Sequence, residues 1–275
     1  MGCGATHADR YLDVFPLSPL TMVMRLVTPL LALATIVGRA QVLVPGEELI
    51  YRVSYIGIEL GTIRLVNEGR QEALGKPAVK CKALIDSRPG IPFLSLHVVY
   101  ESWMEPTALA SLQFVAQNKE SGEYTKYTFD YDQRRISTAT WMDRQKTDER
   151  TFHITRKYVD GLTILYAARQ LLYSKRTAWI PTIVREDTAW TKINFTGKVV
   201  PTTIDAVPYP VRTVYFDGEA NWTGVYGVTG YFEGWFSDDD ARIPIKAKMK
   251  LYLGSADIEL ISWKRPGWSP PAAKE

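Results

Sequence analysis

The sequence predicts a mainly β protein: an antiparallel curved sheet or partly open β-barrel with one α-helix packed against it. Two observations support this. Apolar and polar residues alternate through most of the chain, which is the period-two pattern of a sheet with one dry and one wet face. One segment, Asp160 to Leu172, instead has apolar residues at helical spacing. A single helix in a long meander usually closes one end of a barrel or covers one face of a curved sheet.

The clearest predicted strand covers Ile243 to Leu253. Its odd-numbered positions are apolar, whereas Lys246, Lys248 and Lys250 share the opposite face. Turn-forming clusters such as Asp217-Gly218 separate the successive runs. The predicted strand runs are 49–55, 62–67, 78–85, 96–103, 112–118, 123–131, 136–141, 151–154, 190–200, 211–216, 230–236, 243–253 and 257–263.

The helical segment has recognisable ends. Asp160 is a good N-cap residue, because its carboxylate can accept hydrogen bonds from free N–H groups of the first turn. Arg169 and Lys175 lie late in the segment, where the helix dipole favours cations. The pattern predicts that the helix ends before Pro181.

Residues 1–40 are predicted to be a signal peptide, within which residues 1–21 are a mis-assigned N-terminal extension. Arg25 precedes an apolar run too short to span a bilayer, and Gly38 and Ala40 provide the small side chains of a cleavage site. Cleavage would leave one exported β domain over residues 41–265 and a flexible tail over 266–275. We therefore expect a periplasmic or outer-envelope location, with no integral membrane span after leader cleavage.

Charge and cysteine content exclude several classes of function. The leader contains three arginines and two aspartates, so its removal lowers the formal net charge from +3 to +2. No dense basic segment is visible, which predicts neither nucleic-acid binding nor polybasic docking on a membrane. Cys81 is the one cysteine that follows the leader, and a single thiol forms neither an internal disulfide nor a structural zinc site.

The candidate catalytic groups are sparse. Asp238, Asp239 and Asp240 are consistent with a calcium cage or a carboxylate pair, but a solvated turn in which Arg242 pairs with an acid is favoured. The histidines His97 and His153 lie far apart in strand-like runs and form no metal-binding motif. No nucleophile elbow, phosphate loop or dinucleotide fingerprint occurs. We predict no catalytic residue, no cofactor and no metal site.

Aromatic residues are frequent in the predicted strands. They are consistent with a cavity that binds an apolar or amphipathic ligand, although an ordinary core, which aromatic side chains also build, is the favoured interpretation. These residues are Tyr51, Tyr55, Tyr100, Trp103, Tyr124, Tyr127, Trp190, Tyr231, Trp235 and Trp263.

Several segments resemble a bacterial exported family known as domain of unknown function 3108. The segment Gly46 to Tyr55 resembles the opening of that family, Asp160 to Arg169 is similar to its one helix, and Trp235 to Pro244 resembles its closing hairpin. Either Asp239 or Asp240 occupies the second acidic position of that hairpin.

The resemblance implies an exported, largely β protein and brings no catalytic assignment. Its motif residues suit structural work, with glycines at bulges, acid and arginine at a turn, and a proline at the start of a strand. These positions are Gly46, Glu47, Tyr51, Tyr55, Gly61, Thr62, Asp160, Arg169, Trp235, Asp239, Asp240, Arg242 and Pro244.

Function remains open at this level. The first hypothesis is an envelope protein that binds a lipid or another apolar or amphipathic ligand in a β-barrel cavity. The first alternative is an envelope assembly protein that contacts a protein partner without a small-molecule ligand. A further alternative is a hydrolase of surface polymers, and an integral outer-membrane barrel is a fourth hypothesis.

Overall fold

The computed structural model describes residues 42–91, 94–184, 187–222, 230–251 and 254–274. The predicted signal peptide and the N-terminal extension lie outside these residues. No helix within the described part of the chain is long and apolar enough to cross a membrane.

The described chain forms one sheet of fourteen antiparallel strands that does not close into a barrel. The predicted fold class is therefore confirmed. The strands are β1 (Glu48–Tyr55), β2 (Ile58–Ala73), β3 (Lys76–Ser87), β4 (His97–Met104), β5 (Ser111–Asn118), β6 (Glu123–Asp130), β7 (Arg135–Met142), β8 (Gln145–His153), β9 (Thr177–Val184), β10 (Asp187–Thr202), β11 (Val211–Ala220), β12 (Gly230–Ser237), β13 (Pro244–Lys250) and β14 (Ser255–Lys264).

The topology is a meander in which the first and last strands are neighbours. The order across the sheet runs from β8 down to β1, continues with β14, and runs down to β9. The two edge strands, β8 and β9, are therefore consecutive in sequence. The segment between them contains the helix.

Three strands differ most from the prediction; one of them, β2, spans Ile58–Ala73 where the predicted run is 62–67. The sequence indicates no strand at Thr177–Val184, yet this segment is β9. It contains Pro181, which lowers strand propensity in a central strand but is tolerated at an edge, and β9 is an edge strand. β8 starts at Gln145 rather than at 151; most of its residues are exposed on both faces, so no apolar alternation marks it.

The helix α1 (Thr163–Leu171) continues into a short 3₁₀ turn, Leu172–Ser174. It packs against both halves of the sheet. Tyr166 belongs to a core cluster with side chains from β1 to β7, and Ala168 to a second cluster with side chains from β9 to β12. The predicted amphipathic helix is confirmed, and its buried side chains fill the space between the two halves.

Two reciprocal glycine–phenylalanine pairs shape the second half of the core. In the β11–β12 register Phe216 lies opposite Gly234, and Gly218 lies opposite Phe232. A Cβ atom on Gly234 would come within 2.2 Å of the Phe216 ring, and one on Gly218 would come within 2.4 Å of the Lys192 carbonyl oxygen. Each glycine therefore provides the space that an aromatic ring occupies across the strand pair.

The C-terminal segment after β14 makes specific contacts with the domain. The backbone N–H of Arg212 donates to the carbonyl of Pro271 at 2.7 Å, and that of Ala273 donates to Pro210 at 2.8 Å. The Trp268 indole stacks edge-on against Trp263. These contacts extend the folded domain beyond residue 265, the boundary that the sequence indicates.

Candidate functional site

A buried polar cluster fixes the N-terminal end of α1. Asp160 Oδ1 accepts hydrogen bonds from the N–H groups of Leu162 and Thr163, both at 2.8 Å. Its Oδ2 accepts from the hydroxyls of Ser102, Ser111 and Thr163. All four polar side chains are buried. The carboxylate thus caps the helix and ties it to β4 and β5.

A second buried cluster, formed by Glu47, Arg169 and Arg265, fixes the opposite end. Arg169 donates to both oxygens of Glu47, at 2.7 and 3.1 Å, and Arg265 donates to Glu47 Oε2. Arg169 also donates to the carbonyl of Ala241 at 2.9 Å. Burial alone would lower the pKa of the Arg169 guanidinium, but the Glu47 carboxylate outweighs it and holds that pKa above its ordinary value.

The acidic turn after β12 is organised by Asp239. Its Oδ1 accepts from the hydroxyl of Ser237 and from the N–H groups of Ala241 and Arg242, at 2.8 to 3.0 Å. Its Oδ2 accepts from the Trp268 indole N–H at 2.8 Å. Asp239, and not Asp240, therefore serves as the capping acid, since Asp240 is exposed.

The turn presents Arg242 to the helix. Arg242 Nη1 donates to the carbonyls of Arg169 and Gln170 at 3.0 and 2.9 Å, at the helix C-terminus where a cation is favoured. Burial lowers the pKa of the Arg242 guanidinium. The expectation that Arg242 pairs with an acid is thus replaced by backbone capping, because the turn directs the side chain toward α1. Asp238 instead pairs with Arg212 at 2.7 Å.

Two further motif residues make hydrogen bonds between elements of the sheet. The Tyr51 hydroxyl donates to the carbonyl of Pro244 at 3.1 Å, which links β1 to the first residue of β13. Burial raises the pKa of Tyr51 well above its ordinary value. The Gly46 N–H donates to the carbonyl of Asn67 at 2.8 Å, immediately before Glu47.

The remaining motif residues lie elsewhere in the sheet. Gly61 is required by close packing, because a Cβ there would lie 2.0 Å from the Asp86 carbonyl oxygen. Thr62 pairs with Arg52 and Asp86 in the strand register. Tyr55 ends β1, and Trp235 stacks against Tyr215 on β11.

Sequence reasoning missed the partners that complete these clusters. Ser102 and Ser111 belong to different strands from each other and precede Asp160 by 58 and 49 residues. Arg265 lies 218 residues from Glu47. No local pattern marks such positions. The one available signal is a serine at a strand position that the apolar alternation predicts to be buried.

The other candidate chemical groups do not assemble into a centre. His97 Nδ1 contacts Asp86, and both side chains are partly exposed. Cys81 is buried beside Tyr166, and burial raises the pKa of its thiol to about 12. Within the described residues, no group of three or more histidine, cysteine, aspartate or glutamate side chains could hold a metal ion.

An open cleft of about 420 Å³, with both polar and apolar surface in its lining, lies between α1 and the edge strand β9. Leu109 and Trp179 at its mouth are 46% and 58% exposed, and Arg176 is the charged residue of its lining. The complete lining is Leu109, Ala167, Leu171, Arg176, Thr177, Ala178, Trp179, Ile180 and Pro181. We name it the α1–β9 cleft.

The sequence model of the family described as protein of unknown function DUF3108 matches residues 50–261. The chain belongs to this family. The resemblance drawn from the hairpin and helix motifs is confirmed, and no curated protein matches this DUF3108 member in sequence.

Two solved structures resemble the DUF3108 protein. A β-barrel-like protein of the unknown-function family DUF1849 from Brucella abortus has a TM-score of 0.54 at 9% identity, and the match covers 81% of this chain and 98% of that one. A Bacteroides fragilis protein with a YmcC-like fold has a TM-score of 0.33 at 10% identity, with 81% and 97% covered. The first likeness supports the β-barrel-like fold alone. None of these comparisons indicates an enzyme family.

Proposed function

We propose that this DUF3108 protein is exported to the bacterial cell envelope, where it binds the apolar part of an amphipathic ligand in the α1–β9 cleft. The leader-like pattern of residues 24–40 supports export. The cleft itself is the observation that carries the binding proposal. Its volume of about 420 Å³ falls within the range of small-molecule sites, about 300–1,000 Å³.

The lining suits a ligand with an apolar chain and a negatively charged group. Ala167, Leu171 and Ile180 provide an apolar floor between the helix and the strand. Arg176 adds a cation at the cleft, where a guanidinium can bind a carboxylate or phosphate oxygen. The hydrogen-bonded clusters at the two helix ends hold this floor in place and need no catalytic role.

The test is binding of a fluorescent long-chain fatty acid to the purified protein and to two tryptophan variants. Ala178 lines the cleft and is half-buried, so Ala178→Trp should occupy the cleft and weaken binding at least tenfold. Ala139 is half-buried on β7, away from the cleft, and Ala139→Trp provides the matched control.

Equal binding by the two variants, or no binding by the unaltered protein, would contradict the proposal. Mass spectrometry of protein purified from its native envelope provides an independent measurement. We expect co-purifying acyl chains in the unaltered protein and their loss in Ala178→Trp.

A further inference from the structure

The outer face of β9 and β10 carries two exposed tryptophans side by side. Trp179 and Trp190 are 58% and 39% exposed. In the strand register Trp190 lies opposite Pro181, and Trp179 lies opposite Lys192. The two indoles therefore share one face as diagonal neighbours, which in an antiparallel pair lie about 7–8 Å apart.

A cation accompanies each indole. The Arg156 guanidinium lies 4.9 Å from the centre of the Trp190 ring, and the Lys192 ammonium lies 5.7 Å from that of Trp179. We call Arg156, Trp179, Pro181, Trp190 and Lys192 the tryptophan face. In the part of the chain that the structure describes, neither cation forms a salt bridge with a carboxylate. The nearest acid in the register is Glu219, opposite Lys192 on β11.

We infer that the tryptophan face docks on the surface of a bilayer that contains anionic lipid. Tryptophan is enriched at the membrane–water interface, because its ring is apolar while its N–H remains in polar surroundings. The two cations match the negative potential of anionic headgroups. Adjacent exposed apolar side chains mark interaction sites, and the cations beside the two indoles favour an anionic partner.

The tryptophan face adjoins the α1–β9 cleft. Trp179 and Pro181 belong to both, so docking would bring the mouth of the α1–β9 cleft close to the lipid surface. The docking inference goes beyond the proposed ligand site and does not require the cleft to be occupied.

Sedimentation of the full chain with vesicles tests the inference. We expect binding to phosphatidylcholine vesicles that contain phosphatidylglycerol, and weak binding to pure phosphatidylcholine. Arg156→Gln and Lys192→Gln should each lower the partition coefficient about fivefold, since a basic residue near an anionic surface contributes about 1 kcal/mol. The double variant should lower it about 25-fold, and Trp190→Ala should lower it as well.

The control is the double variant Lys248→Gln/Lys250→Gln, which removes the same charge from exposed positions on β13. It should bind vesicles nearly as well as the unaltered protein. An equal loss in this control, or equal binding to both vesicle types, would overturn the inference. Concentration-dependent dimers abolished by Trp190→Ala, without vesicle binding, would assign the face to a second copy of the chain.

Two further measurements keep this test separate from that of the cleft. Quenching of tryptophan fluorescence by brominated phosphatidylglycerol reports docking of the unaltered protein, so the inference remains testable if a variant unfolds. Ala178→Trp should lose fatty-acid binding and keep vesicle binding, whereas Arg156→Gln/Lys192→Gln should do the reverse. Loss of both functions in both variants would contradict the separate docking face.

Discussion

Replacement of Glu47 should destabilise the fold more than replacement of its partner Arg169. Both side chains are 1% exposed, and Glu47 accepts hydrogen bonds from Arg169 and Arg265. Glu47→Gln leaves the buried Arg169 guanidinium without its paired carboxylate, and removal of one partner of a buried ion pair costs about 3–5 kcal/mol. Arg169→Met leaves Glu47 paired with Arg265, so the loss is that of the charged hydrogen bonds, about 2–3 kcal/mol.

Urea unfolding of the purified chain measures these differences. The double variant Glu47→Gln/Arg169→Met should lose less stability than the sum of the single variants, because the second substitution removes the buried cation that Glu47→Gln leaves without its carboxylate. Lys76→Met is the control, since it breaks an exposed pair with Asp132 and should cost at most about 1 kcal/mol.

The reasoning would be refuted if Arg169→Met cost as much as Glu47→Gln, or if the two losses were additive. Either result would mean that the cost of Glu47→Gln does not come from a buried Arg169 guanidinium that has lost its carboxylate. If Lys76→Met lost as much stability as Glu47→Gln, burial of the ion pair would not be the cause of the large loss in Glu47→Gln.

Three further predictions concern the helix cap, the buried thiol and the glycine–phenylalanine pairs. Asp160→Ala should cost about 2–4 kcal/mol, because it removes the cap and leaves buried hydroxyls without an acceptor, whereas Asp160→Asn should cost less; equal losses in urea unfolding would contradict this. Burial raises the pKa of the Cys81 thiol from 9.0 to about 12, so the protonated thiol contributes its full stabilisation of the folded state below pH 9. That contribution is lost as pH rises from 9 to 12. Between pH 9 and pH 10 the unaltered protein should therefore lose about 1 kcal/mol more stability than Cys81→Ala; parallel curves would contradict it. Gly234→Ala should cost about 1–3 kcal/mol by overpacking against Phe216, and an unchanged thermal midpoint would show that the ring moves aside.

The regular elements could be predicted from local patterns. The alternation over Ile243 to Leu253 includes β13 (Pro244–Lys250), where lysines 248 and 250 are exposed and Ile245 is buried. Residues 252 and 253 of the predicted run lie outside the described residues. The helix was predictable because Asp160 and the leucine spacing lie within one segment. β9 was not predictable, because a proline such as Pro181 argues against a strand when only the local sequence is known. A proline is tolerated at the edge of a sheet, and the edge position is known only from the fold.

The site could be predicted only in part. The sequence identifies the motif residues, which are Glu47, Asp160, Arg169 and Arg242. Only the fold shows that all four form hydrogen bonds at the two ends of one helix. Likewise, Arg156 and Lys192 lie 36 positions apart and form no basic run. Such contacts depend on strand order, which local alternation does not determine.

The pairing of β1 with β14 affects how a nascent chain acquires its structure. Glu48 pairs with Lys264, so the ladder at the middle of the sheet forms only when nearly the whole polypeptide is available. A chain that emerges from its N-terminus first keeps an open strand edge at β1 until then, with the slow folding and aggregation risk that distant pairings bring. Truncation of the last strand would accordingly split the sheet at its centre, between β1 and β13, and not merely shorten one margin.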